Sequence, residues 1–393
     1  MRIVIGLLSL TLIASCSIAK NKIDERESDR LFASTPSHVD TRQPLIDWYE
    51  DAKTSGFSGM VLVAKGQTKL FEQGIGYADK EDKRPFTADT VVDILSMTKQ
   101  FTAAAILKLE EQGALSVHDT LEQFFHNVPA EKQGITLHQL LTHTAGFKAN
   151  YKGDYTPATR QQLEQHALNS RLRSRPGEAF NYSNIGYSLL ALVIEKASNQ
   201  SYEAFLHEHL FLPAGMNNTG YRIPSWSEQD FIVGYQRDSR YRHHRLLAGV
   251  GSVFGRSDRW GTPLEQSWAK DGPWWSLHGN GGLLSTLNDL HLWYLALANN
   301  SILSETSKDK LYSPYVEVTS GIFYGYGWMI RSNQAGTRRL INHGGGNPFF
   351  DMDIYHYVDD GVVFLYVTNT PRPMQQHSLI SKLLNVVRHE YIQ

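Results

Sequence analysis

The spacing of apolar residues changes along this chain, and the changes mark out its elements. From residue 97 to 112 the apolar positions Met97, Phe101, Ala104, Ala105 and Leu109 recur at three- and four-residue steps and stop at Gly113. That period predicts an amphipathic helix. A second helical pattern runs from Tyr187 through Lys196, and a third from Leu379 to Tyr391. Elsewhere the pattern is that of strands. Gly59 to Ala64 and Lys69 to Glu72 read as a hairpin turning at Lys65-Gly66-Gln67-Thr68. Further strand-like runs lie around 322–331, 338–343, 350–357 and 362–369. Strand-rich ends therefore enclose a mostly helical stretch with long loops, without internal repeat or low-complexity segment.

The first residues carry an address. Arg2 precedes an apolar run, Ile3 to Ile13, that is too short to span a bilayer comfortably. Ile13-Ala14-Ser15-Cys16 has the form of a bacterial lipobox, which predicts cleavage before Cys16 and a lipid on its sulfur and new amino group. A plain secretory signal is the alternative. Cys16 is the only cysteine, so the rest of the chain forms no disulfide within itself and must rely on its core. Ser17 in place of an aspartate after it points to outer-membrane sorting in a Gram-negative cell. Residues 17 to 43 are polar and mixed in charge, as a tether would be. The expected organisation is a signal peptide at 1–15, a tether at 16–43 and one folded domain at 44–393. The expected place is the cell envelope, anchored by lipid in the outer membrane and facing the periplasm.

Composition narrows the function. Hydrophobic residues make up 41% and charged residues 20%, ordinary for a globular protein. The 38 basic and 40 acidic residues nearly cancel, leaving −2, which gives no electrostatic case for nucleic acid. Sixteen histidines invite a metal reading. Their spacing does not support one: His207-Glu208-His209 and His243-His244 lack a third ligand, and H-E-x-x-H is absent. No metal and no cofactor is expected, and nothing in the sequence sets an oligomeric state.

Three short motifs carry the chemistry: Ser96-Met97-Thr98-Lys99, Tyr182-Ser183-Asn184 and His343-Gly344-Gly345. S-x-x-K also occurs at Ser17, Ser267 and Ser307, so the spacing alone says little. Ser96 differs because it stands at the entrance of the predicted helix. A serine there is a good N-cap and needs no further role. The same position also presents backbone N–H groups and a partial positive charge to a developing oxyanion. Lys99 lies about one turn on, along the same face. A lysine takes a serine proton only in its neutral form, which desolvation and neighbouring dipoles can favour; otherwise Lys99 is a solvated cation near a helix start. Tyr182 and Asn184 sit on a loop at the next helix entrance. Tyr182 could relay a proton and Asn184 bind an acyl side chain, or Tyr182 packs and Ser183 or Asn184 caps the helix. Gly344, Gly345 and Gly346 let a ligand approach the backbone, or serve a plain turn. The N–H groups of Ser96 and Gly346 are the candidate oxyanion donors.

Together these segments resemble the serine β-lactamase and penicillin-binding-protein superfamily, closest to its class C β-lactamase-related branch of esterases, DD-peptidases and D-aminopeptidases. The resemblance runs from about Trp48 to the C-terminus. It includes Leu140-Leu141-Thr142-His143-Thr144-Ala145-Gly146, Pro176-Gly177-Glu178, Gly281-Gly282-Leu283-Leu284-Ser285-Thr286 and Tyr324-Gly325-Tyr326-Gly327-Trp328 besides the three motifs. It implies an α/β (α+β) fold, an antiparallel sheet from both chain ends flanked by helices, with an inserted, mostly helical lobe. The sheet lobe would take about 44–95 and 320–393, the helical lobe about 110–300. By position, Ser96 is the nucleophile, Lys99 its base, Tyr182 the partner base and Asn184 a substrate contact, with His343 and Gly345 also facing substrate.

One departure stands out. Where the β-lactamases have Lys-Thr-Gly to bind a substrate carboxylate, this chain has His343-Gly344-Gly345, with an uncertain charge and no hydroxyl. Penicillin breakdown is therefore a poor match for the main activity. Glu164 with Leu168-Asn169 looks like a class A deacylation segment, but its spacing is one residue too long. The expectation is a serine hydrolase acting through an acyl-enzyme on an ester, a D-amino-acid amide or a peptide. The alternatives are a β-lactamase or DD-carboxypeptidase, and a non-catalytic sensor that retains the fold. Residues 223–278, with Trp274 and Trp275, are expected to overhang the cleft or to pack in the core.

Overall fold

The computed structural model describes residues 42–153, 155–237, 257–266, 274–333, 336, 338–371 and 373–392. The expected signal peptide, Cys16 and nearly all of the tether lie outside the described residues. Helices α1 (Gln43–Thr54), α2 (Thr98–Glu111), α3 (Arg160–Asn169), α4 (Asn184–Ser198), α5 (Leu287–Ala298) and α6 (Pro373–Tyr391) are joined by shorter ones. Strands β1 (Gly59–Lys65), β2 (Thr68–Ile75), β3 (Val316–Thr319), β4 (Ile322–Tyr324), β5 (Met329–Ser332), β6 (Arg339–Gly346), β7 (Asp351–Tyr357) and β8 (Val362–Thr368) form one sheet. Its order is β2-β1-β8-β7-β6-β5-β4-β3, and every pair is antiparallel. Two N-terminal strands thus lie at one edge, against the last strand of the chain.

The central strands explain the covering. Along β1 and β8, Met60, Leu62, Ala64, Val363, Leu365 and Val367 enter the main core, which they share with α2, α4 and α5. Their neighbours Val61, Val63, Val362, Phe364 and Tyr366 face the other way, against Leu45, Trp48 and Ala52 of α1 and Leu379, Leu383 and Val387 of α6. A sheet buried on both faces needs near-continuous apolar strands rather than alternation, and these two have them. Each large side chain so buried contributes on the order of 1.5–3 kcal/mol. Trp48 also donates its indole N–H to the carbonyl of Leu379, at 2.8 Å, which ties α1 to α6.

The hairpin β1–β2 turns at Gly66 and Gln67, with Gly66 at φ +53°. Four features depart from the sequence reading. The run 322–331 is two strands, because Gly325 to Trp328 form a turn; Gly327 has φ +77°, and a Cβ there would lie 2.8 Å from the carbonyl oxygen of Lys99. β6 does not stop at residue 343 but continues through the glycines to Gly346. β3 and α1 carried no period strong enough to predict them. Finally, α2 is not amphipathic in place: Thr98 through Leu107 are all buried, since the helix lies inside the main core with neighbours all round.

Candidate active site

Ser96 occupies a single 3-10 turn, Leu95–Met97, that leads into α2. The residue before it, Leu95, has φ +51°, a conformation disfavoured for a non-glycine residue. Asp93 holds it there: its Oδ1 accepts the Leu95 N–H at 2.8 Å. The cap positions of the turn and of α2 fall on Ile94 and Met97, and neither is capped by a side chain. Ser96 is therefore not an N-cap.

Lys99 is fully buried. Its Nζ donates to the carbonyl of Asn280 at 2.6 Å and lies 4.8 Å from the ring centre of Tyr182 and 5.6 Å from that of Tyr187. Lysines usually extend their ammonium to water. This one is held inside, so the solvated reading does not apply.

Tyr182 is half-buried at the entrance of α4. The cap there is Ser183, whose Oγ accepts the Gly186 N–H at 3.1 Å and donates to the carbonyl of Lys148 at 2.7 Å. With the cap supplied, neither Tyr182 nor Asn184 is needed for it. Asn184 donates from Nδ2 to Asn150 Oδ1 at 2.6 Å, and its own Oδ1 is buried with no hydrogen-bond partner among the described residues.

Strand β6 completes the site. It pairs with β5 only as far as Asn342, so 343–346 have β7 on one side alone within the sheet. Asn347 N–H bonds the carbonyl of Phe350 at 2.9 Å. By antiparallel alternation, residues 343 and 345 then bond β7, while the backbone groups of Gly344 and Gly346 point away from it, along the open edge. A Cβ on Gly345 would lie 2.5 Å from Leu95 Cβ and 2.8 Å from the Ser96 nitrogen; one on Gly344 would lie 2.9 Å from Asp353 Oδ2. On that side these two glycines admit the protein's own segments. The side of Gly345 that a Cβ would occupy therefore faces the Ser96 turn.

His343 stands on the same strand. It is only 3% exposed. Its Nδ1 lies 2.8 Å from the carbonyl oxygen of Gly344, which can only accept, so the ring proton sits there. Nε2 then accepts from the Tyr324 hydroxyl at 3.0 Å. Burial, with Lys99 nearby, pushes its pKa down to about 3. Both ring nitrogens are thus engaged within the protein, and burial favours the neutral ring.

Sequence reasoning assigned no role to Asn280, Tyr187, Tyr324 or His143, all of which touch this group. His143 and Tyr324 lie within quoted landmark segments, Asn280 borders one and Tyr187 begins a predicted helix, so the signal was present without a chemical reason attached. Glu164 stands on α3 beside Arg160 and Asn169, in a surface recess. Trp275 stacks on His278 at 4.3 Å, and both Trp274 and Trp275 pack against the main core. Much of the segment expected to overhang, 238–256 and 267–273, lies outside the described residues. Among the described residues no group of three or more metal-ligating side chains gathers, and no helix is long and apolar enough to cross a membrane.

Comparison with known proteins adds relatives to this geometry. The family model described as Beta-lactamase matches residues 46–386. Penicillin-binding protein 4* of Bacillus subtilis is 31% identical over 340 residues, covering 83% of this chain and 71% of that one. Among solved structures, an octameric penicillin-binding protein homologue from Pyrococcus abyssi superposes with a TM-score of 0.72 at 25% identity, covering 90% of this chain and 78% of that one. A D-amino acid amidase from Ochrobactrum anthropi shares the fold with a TM-score of 0.71 at 19% identity, over 88% of this chain and 99% of that one.

Proposed function

The chain belongs to the Beta-lactamase family of serine hydrolases, and from that premise we propose that it hydrolyses uncharged esters, or D-amino-acid amides and peptides, through an acyl-enzyme on Ser96. The observation that carries the reading is the buried Lys99, held one helical turn from Ser96 and against the face of Tyr182. In the proposed reaction the Ser96 hydroxyl gives its proton to Lys99, assisted by the Tyr182 hydroxyl, as its oxygen attacks the substrate carbonyl. The N–H groups of Ser96 and Gly346 stabilise the oxyanion. The intermediate collapses, the alcohol or amine leaves with a proton returned through Tyr182, and water then releases the acid from Ser96 by the same steps. The open acceptor on Asn184 suits an amide N–H in the acyl part of the substrate.

Substrate class rests on His343. A neutral, internally bonded imidazole replaces the cation that would hold a carboxylate. Loss of a charged contact costs on the order of 1.5–3 kcal/mol, or roughly ten- to a hundredfold in selectivity. The test is kcat/KM for p-nitrophenyl butyrate against nitrocefin. The ester should be favoured, and lowering the pH from about 8 to about 5 should not rescue nitrocefin, since His343 stays neutral throughout. Faster nitrocefin turnover would make the protein a β-lactamase, and labelling of Ser96 without turnover would make it a sensor. The lipid anchor is part of the proposal: Cys16→Ala should release the protein from the membrane fraction, and a fatty-acid analogue should label only the wild type.

A further inference from the structure

The element that fixes Tyr182 is a histidine to which the sequence assigned no chemistry. His143 follows the short helix Leu137–Leu141, which begins with a capping box from Thr136 and Gln139. It is itself in the left-handed region, at φ +59°, and is buried. From there it reaches both sides of Tyr182. Its carbonyl accepts the N–H of Asn181 at 2.8 Å, and its Nδ1 accepts the N–H of Ser183 at 3.0 Å. Its ring lies against the Tyr182 ring at 4.3 Å between centres, backed by Tyr324 at 4.7 Å and Tyr187 at 5.0 Å.

The choice of histidine is informative. Because Nδ1 accepts, the ring proton is on Nε2, which is buried with no hydrogen-bond partner among the described residues. A phenylalanine would fill the same space without burying an unmet donor. What histidine adds is the acceptor for Ser183. Burial, then Lys99 and His343, holds its pKa well below the usual histidine value, so the ring remains neutral and the acceptor remains present.

We propose that His143 is the positioning residue of Tyr182: it clamps the amides on either side of that tyrosine and sets its ring against Lys99. The proposal rests on the reading of Tyr182 as part of the proton machinery. An error of about 1 Å in a catalytic group costs on the order of a hundredfold, so the clamp should be visible in the rate.

The experiment is a double-mutant cycle on the full chain with p-nitrophenyl butyrate, combining Tyr182→Phe with His143→Leu and His143→Asn. Rates are normalised to active sites titrated with a fluorophosphonate, and melting is followed in parallel. His143→Leu should lower kcat about 10- to 100-fold with KM nearly unchanged. His143→Asn keeps an acceptor and tolerates the left-handed backbone, and should recover most of the rate. In the Tyr182→Phe background the His143→Leu loss should nearly vanish, because the group it positions is gone. A loss that persists in that background, or an asparagine no better than leucine, overturns the proposal. If Tyr182→Phe itself leaves acylation intact, the reading of Tyr182 fails and the clamp has nothing to position. Should His143→Leu not fold, His143→Phe keeps the ring without the acceptor and gives the same decision.

Discussion

The entrances of α2 and α4 look alike in sequence and behave oppositely. Each carries a serine beside residues that can do chemistry. At α4, Ser183 is spent on the helix: it caps the Gly186 N–H, anchors the Lys148 carbonyl, and leaves its neighbours to other work. At α2 the helix goes uncapped by any side chain, and the chain enters through a left-handed Leu95 held by Asp93. The difference teaches where the protein spends stability and where it forgoes it. A cap is worth about 1 kcal/mol, and omitting it at Ser96 leaves that hydroxyl uncommitted to the helix.

The comparison can be broken most forcefully at Ser96. Ser96→Ala should abolish turnover, by about a thousandfold or more, while melting stays close to wild type, because no cap is lost. Lys99→Ala and Tyr182→Phe come next, each costing roughly 10²–10⁴ in acylation, with a double mutant much better than the sum of the two losses would give. Fully additive losses would make Tyr182 a packing residue. Gly345→Ala should have a smaller, mixed effect. The new methyl pushes on Leu95 and the Ser96 nitrogen, which should cost about 1–3 kcal/mol of stability together with part of the acylation rate. Smallest is Ser183→Ala: about 1 kcal/mol in a denaturant melt with kcat changed far less than by Tyr182→Phe. A Ser183→Ala enzyme as inactive as Ser96→Ala would erase the distinction between the two entrances.

Much of the fold was legible because its signals are local. The hairpin β1–β2, the strands β7 and β8 and the helices around residues 98–111 and 184–198 follow from apolar spacing and turn residues. The break between β4 and β5 was not legible. Gly325 and Gly327 are glycines because the turn packs on Leu311 and Lys99, distant in sequence. The same holds for the site. Ser96, Lys99 and Tyr182 were visible as motifs, but the burial of Lys99 beneath Asn280 and the internal bonding of His343 depend on tertiary neighbours. Gly345 shows the limit well: its glycine was read as room for a ligand or a plain turn, and only the tertiary structure brings the Ser96 turn against one side of it.

The central claim is that an acyl group resides on Ser96 during turnover. It is tested most directly by acid-quenching the enzyme within its first turnovers of p-nitrophenyl butyrate and mapping the adduct by peptide mass spectrometry. The account predicts one butyryl group on the peptide carrying Ser96, formed at the rate of the nitrophenol burst, lost as turnover proceeds and absent from Ser96→Ala. Turnover with no adduct at any quench time, or an adduct on another residue that survives in Ser96→Ala, would contradict it.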